Sequence, residues 1–175
     1  MENLHINVSG INLNPLSLEP GNRLTVFLQG CQHNCPGCQS PHTQPMEGGI
    51  QYTVEEVMDH YGMQEGLEGI SFSGGEPFLQ AAGLAQVARE VHKQGHSVIT
   101  YTGFPYESLQ AMAQNDPATK DLLDETDLLV DSAFLLEEQS ADQPVRSSKN
   151  QRYFALTEVG RNLESKIKEK ATESK

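Results

Sequence analysis

Cys31, Cys35 and Cys38 stand on one short segment, Gly30-Cys31-Gln32-His33-Asn34-Cys35-Pro36-Gly37-Cys38, and the chain has no other cysteine. Three thiolates at C-x3-C-x2-C spacing can hold three corners of one 4Fe–4S cube. Clusters that only carry electrons take four protein thiolates. With three, the fourth iron is left to a small molecule, and an open coordination position means chemistry, as it does at catalytic zinc. The same thiolates also admit a tetrahedral Cys3His zinc completed by His33 or His42. His33 lies inside the cysteine loop, where reaching the same metal is strained, so it reads better as a supporting loop residue.

A second segment of interest is Ser71-Phe72-Ser73-Gly74-Gly75-Glu76-Pro77. Two glycines without Cβ atoms let another group approach the backbone closely. Glu76 adds a carboxylate suited to an ammonium group, and Pro77 stiffens the exit. A Gly-Gly turn alone often serves only geometry. Beside an open-site cluster it becomes a candidate binding turn.

These segments need a scaffold that brings them together. Arg23–Leu28 (RLTVFL) reads as a buried strand, Gly69–Ser73 as a second, Ser97–Thr102 as a third and Asp127–Asp131 as a fourth. Thr53-Val54-Glu55-Glu56 is a capping-box pattern that starts a helix running to about residue 61. Gln80–Gln94 carries Leu84, Val87, Ala88 and Val91 at helical spacing, with Gly95 as its C-terminal stop. Tyr106–Gln114 is a further helix. Strands that are continuously apolar and alternate with helices predict an α/β fold with a parallel sheet. A full eightfold barrel needs ~250 residues, more than the 175 present. The expectation is a partial, incomplete TIM-like barrel of about five or six mainly parallel strands with crossover helices. The cysteines, Gly74-Gly75 and Gly103 all follow strands, which is where such folds place their sites.

Bulk properties narrow the function classes. A net charge of −12 and a pI near 4.8 repel phosphate backbones, so nucleic acid is not an expected partner. The first residues lack a basic start followed by an apolar run, and no stretch is long and apolar enough for a membrane span. A cytoplasmic location is expected, where a reducing environment disfavours disulfides and an odd cysteine cluster points to metal.

Beyond these readings, the sequence resembles the radical S-adenosylmethionine superfamily, whose two main signatures are C-x3-C-x2-C and the Gly-Gly-Glu turn. The likeness is closer to one group within it, the anaerobic ribonucleoside-triphosphate reductase activating proteins. It is carried by Pro20-Gly21-Asn22-Arg23, Phe27 to Cys31, Cys35 to Pro41, Tyr101-Thr102-Gly103-Phe104, Asp127 to Asp131 and Arg146 to Arg152, and so covers residues 20–152. The departures are Gly37 and Gln39 beside the third cysteine, where the family has an aromatic or similar residue. Gln44 stands where Trp is frequent, and Ser132 and Ser147 where glycines are usual. None touches the cluster ligands; they bear on which protein is activated.

The resemblance implies an oxidoreductase, a glycyl-radical enzyme activase. Cys31, Cys35 and Cys38 would bind the 4Fe–4S cluster. Gly74, Gly75 and Glu76 would hold the amino group of S-adenosylmethionine. The backbone of Gly37, Cys38 and Gln39 would line the adenine side. Reductive cleavage would yield a 5′-deoxyadenosyl radical that leaves a glycyl radical on an anaerobic (class III) ribonucleotide reductase. Another glycyl-radical protein or a peptide is the alternative substrate, and a flavodoxin- or ferredoxin-type protein the implied electron donor. Arg23, Thr102 and Asp131 are weaker candidates. Arg23 reads better as a salt-bridged residue at a strand entry, and Asp131 as a ribose or cation ligand or a turn cap. Asn150 and Gln151 are expected to shape a loop or the partner surface. The radical domain is assigned to 1–160. Residues 161–175 carry five cationic and three anionic side chains and read as a solvated helix or frayed end, or as a docking helix.

Overall fold

The computed structural model describes residues 4–15, 19–140 and 145–173. Seven strands make one sheet: β1 (His5–Leu13), β2 (Arg23–Leu28), β3 (Ile50–Thr53), β4 (Gly69–Gly74), β5 (Ser97–Tyr101), β6 (Leu128–Asp131) and β7 (Arg152–Ala155). Their spatial order is β3-β1-β2-β4-β5-β6-β7. The four central strands β2, β4, β5 and β6 run parallel to one another. β1, β3 and β7 are added antiparallel at the two sides. The expected parallel core is present, but the sheet has seven strands rather than five or six. β3 and β7 are its two edges, so the barrel stays open.

Side-chain alternation along the central strands separates two cores. Val98 and Leu129 join the larger cluster, whereas Ile99, Leu128 and Val130 join a second one on the opposite face. The larger core receives α1 (Val54–Gly62), α2 (Ala81–Lys93), α3 (Tyr106–Ala113) and α4 (Pro117–Glu125) through Val57, Leu84, Val87, Leu109 and Leu122, all 0% exposed. Each start has a local reason. Thr53 and Glu56 form the reciprocal capping box of α1. Asp116 accepts from Ala118 N and Pro117 follows it at the first position of α4.

The second face is covered by α5 (Glu158–Glu173). Leu163 and Ile167, four residues apart on one helical face, are buried with Ile99, Leu128, Val130 and Val145. Residues 161–173 therefore belong to the packed helix that begins at Glu158. Polar groups are also buried on this face. Arg23 is fully buried and donates to Ser71 Oγ, Ser97 Oγ, Ile70 O and Ser97 O. Its acceptors are hydroxyls and carbonyls, with Glu19 acting on it as a nearby charge. Burial pushes the Glu19 carboxyl up, opposed by Arg23 and by hydrogen bonds from Ser71 and Tyr101.

Candidate functional site

The carboxyl ends of β2, β4, β5 and β6 open on one cavity of about 480 Å³. Cys31, Cys35 and Cys38 line it from the loop after β2, and Gly74 and Gly75 from the end of β4. Thr102 and Gly103 follow β5, and Ser132 to Phe134 follow β6. The placement is the one expected of a parallel sheet.

The cysteine loop is closed at its base by its own backbone. Gly30 N donates to Thr43 O at 2.7 Å and Cys31 N to Gln44 O at 3.0 Å. The Gln29 side-chain amide donates to His42 O and Pro45 O. Three half-buried thiols thus project from a loop already tied off. Burial pushes the Cys31 and Cys35 thiols up, and the neighbouring thiols and Glu76 act in the same direction. A cationic iron cluster reverses that balance by favouring the thiolates. Among the described residues, no three His, Cys, Asp or Glu side chains converge as a single ion requires. A cubane is larger and takes each thiolate at a separate iron, which suits three thiols spread around one cavity. The Cys3His zinc alternative finds no gathered ligand set: His33 points to Glu76 and His42 is exposed.

The Gly-Gly turn passes close across the end of β2. Gly75 N donates to Leu28 O and Glu76 N to Gly30 O, both at 2.8 Å. A Cβ on Gly74 would crowd the Leu28 backbone, and one on Gly75 would collide with Gly30 O. These glycines therefore let the turn lie against the root of the cysteine loop, while their other side faces the cavity. Glu76 lies behind the turn, 0% exposed. Its Oε1 accepts from His33 Nε2 at 2.6 Å, Thr102 Oγ1 at 2.8 Å and Gly103 N at 2.8 Å. Its Oε2 accepts from Phe78 N at 2.9 Å and Thr102 Oγ1 at 2.9 Å.

Of the residues expected to hold cofactor, Cys38, Gln39, Gly74 and Gly75 line the cavity, and Gly37 and Glu76 do not. Thr102 reaches the site as the partner of Glu76. Asp131 is turned away: it is fully buried, accepts from Tyr106 N at the start of α3 and pairs with Arg152. It is a cap and ion-pair partner rather than a cavity ligand. Gln151 accepts from Ser147 N and Ser148 N and donates to Ser132 O, and Asn150 donates to Ala133 O. Both shape the loop, as expected. Phe27, Tyr101, Val130, Phe134 and Val145 line the cavity without having been singled out. The first three stand at strand ends, a positional signal that was available.

A family model described as a 4Fe-4S single cluster domain matches residues 19–154, and the chain belongs to that family. An anaerobic ribonucleoside-triphosphate reductase-activating protein of Vibrio cholerae is 30% identical over 141 residues, 75% of this chain and 86% of the relative. Its counterpart in Escherichia coli is 29% identical over 75% of this chain and 87% of its own. A pyruvate formate-lyase 1-activating enzyme of Escherichia coli is 33% identical over 118 residues, 63% of this chain and 45% of that one. With this cysteine loop, the chain is a radical S-adenosylmethionine activating enzyme, an oxidoreductase that uses a 4Fe–4S cluster and S-adenosylmethionine. No helix among the described residues is long and apolar enough to cross a membrane.

Proposed function

We propose that this enzyme activates an anaerobic ribonucleoside-triphosphate reductase by generating a glycyl radical on it. The observation that carries the reading is the meeting of Cys31, Cys35, Cys38, Gly74 and Gly75 on one cavity at the carboxyl ends of the parallel strands. When bound, the cluster would pass one electron to S-adenosylmethionine, and that chemistry would supply the oxidising power to remove a hydrogen atom from a backbone glycine of the partner. The chain's own residues hold and enclose. Cys31, Cys35 and Cys38 hold three irons. The Gly74–Gly75 backbone faces the methionine amino group, with Glu76 fixing the turn behind it. Cys38 and Gln39 form the adenine side, with Gly37 shaping the backbone there.

The reductase is favoured over other partners by the reductase-activating relatives, of which this chain spans 86% and 87%. It spans only 45% of the pyruvate formate-lyase-activating one. A flavodoxin- or ferredoxin-type protein would supply the electron, and the cytoplasm is the compartment such partners imply. The test is anaerobic incubation of the reconstituted, reduced protein with S-adenosylmethionine and a class III reductase. The expected result is a glycyl-radical doublet in electron paramagnetic resonance, with one 5′-deoxyadenosine per radical. A doublet on pyruvate formate-lyase but none on the reductase would move the assignment to the second partner.

A further inference from the structure

His33 lies between two cluster ligands in sequence, yet its side chain leaves the cysteine loop. Its Nε2 meets Glu76 Oε1 at 2.6 Å. Its ring stands edge-on to Phe104, with centroids 4.6 Å apart and planes at 78°, a preferred aromatic geometry. Its third neighbour is Gly103, where a Cβ would collide with the imidazole. Gly103 does not have a positive φ, so the glycine is needed there for room rather than for backbone conformation. A carboxylate, an aromatic edge and a missing Cβ thus form a seat for this one ring.

The seat joins three loops that sequence places far apart. Glu76 belongs to the turn after β4, and Gly103 and Phe104 to the turn after β5. Thr102 Oγ1 and Gly103 N bind the same carboxylate. Glu76 is already held without His33, by Phe78 N, Thr102 and Gly103. The imidazole is therefore not needed to satisfy Glu76. What it adds is a side-chain tether from the cysteine loop to the two turns.

We propose that His33 is a positioning residue. It fixes the cysteine loop against the Gly74–Gly75 turn, so that the open iron and the surface receiving the methionine amino group keep one separation. S-adenosylmethionine must meet both at once, and a misplaced receptor loses affinity even when each half is intact. The three cysteines suffice to retain the cluster, whereas the fit of the nucleoside cofactor depends on the tether.

The inference rests on the cofactors and not on the partner. Its test needs no reductase, so its failure leaves the partner reading standing. Parent protein, His33→Ala, His33→Gln and Gly103→Ala are reconstituted anaerobically and assayed for iron and sulfide. Each is then titrated with S-adenosylmethionine while the electron paramagnetic resonance spectrum of the reduced cluster is followed. His33→Ala should keep the parent's iron and sulfide. The S-adenosylmethionine concentration that half-converts the spectrum should rise about tenfold, the scale of one lost charge-assisted hydrogen bond. His33→Gln, whose amide can donate to Glu76, should recover most of the affinity. Gly103→Ala expels the ring from the other side with the cysteine loop untouched, and should behave as His33→Ala does. Parent-like titrations in both alanine variants would overturn the proposal. So would loss of iron from His33→Ala, which would make His33 a holder of the cluster itself.

Discussion

Ser132 follows β6 on the cavity wall with φ of 75°, a left-handed conformation that disfavours a side chain. A non-glycine residue there costs ~1–2 kcal/mol, and glycine returns part of that through its larger unfolded-state entropy. Ser132→Gly should therefore raise stability by about 0.5–1 kcal/mol. The check is a higher urea midpoint with unchanged slope; an unchanged midpoint would show the serine to be unstrained. At this scale the site was partly legible. Cysteine spacing and the Gly-Gly-Glu turn named the ligand loop and the binding turn, because both are local patterns. Contacts across the chain were not legible. His33 meets Glu76 43 residues away, and Gln39 accepts from Ser147 Oγ across 108. The second pair joins two departures from the family pattern, which no reading of either residue alone reveals.

At the scale of elements, α5 and the join between α2 and β6 carry testable weight. Ile167 is 0% exposed within the second core. Ile167→Ala should cost about 2–5 kcal/mol, as large-to-small core substitutions do, and equilibrium denaturation of the apo protein checks this. A loss under 0.5 kcal/mol would mean a frayed helix. On α2, His92 meets two carboxylates, Nδ1 with Glu125 at 2.8 Å and Nε2 with Asp127 at 2.9 Å, and donates to both when protonated. The Asp127 hydrogen bond, with further support from Glu125, raises the imidazole above its ordinary 6.5 against the effect of burial. Arg89 also faces Glu125 and Asp121. Burial pushes Asp127 up, but bonds from His92, Thr157 and Val98 N outweigh it and leave it low. The contribution of His92 is complete below its unfolded value and is lost as pH rises through the raised folded value. That of Asp127 is lost only in acid. Urea midpoints should thus fall as pH rises above the ordinary histidine value of 6.5, and His92→Gln should flatten that decline. An equal slope in the variant would rule the histidine out.

The elements that reading along the chain found are those with strong local signals: β2, β4, β5, β6, α1, α2 and α3. β3, with Ile50 60% exposed, and the four-residue β7 are edge strands without a buried run, so periodicity had nothing to register. β1 alternates Ile6 and Val8 inward, but a register shift before Gly10 breaks the pattern. α4 has a readable local start in Asp116-Pro117.

For the whole molecule, size decides how much of the reaction the chain can enclose. A cavity of about 480 Å³ is at the smaller end of ligand sites. The sheet is not closed, since β3 and β7 remain edges. On the proposed function, a substrate segment entering this cavity would add cover and shield the radical from water. Release of 5′-deoxyadenosine by the reduced protein alone should be slow, and should rise several-fold when the partner protein is added, as chromatography of quenched samples would record. Rapid turnover on a free nucleotide without any partner protein would contradict this.

The bonds from Gly30 to Thr43 and from Cys31 to Gln44 close the base of the cysteine loop through backbone groups and not through the thiols. In zinc fingers and many small metal domains, metal capture and folding are one event, and the empty chain is unfolded. Here the entropy of closing the ligand loop is met by the protein's own backbone. The expectation is a loop whose fold does not depend on the cluster. Apo protein should already be native by hydrogen exchange, with slow-exchanging amides at Gly30 and Cys31. Cys38→Ala should unfold at the same urea concentration as the apo parent while accepting no stable cluster.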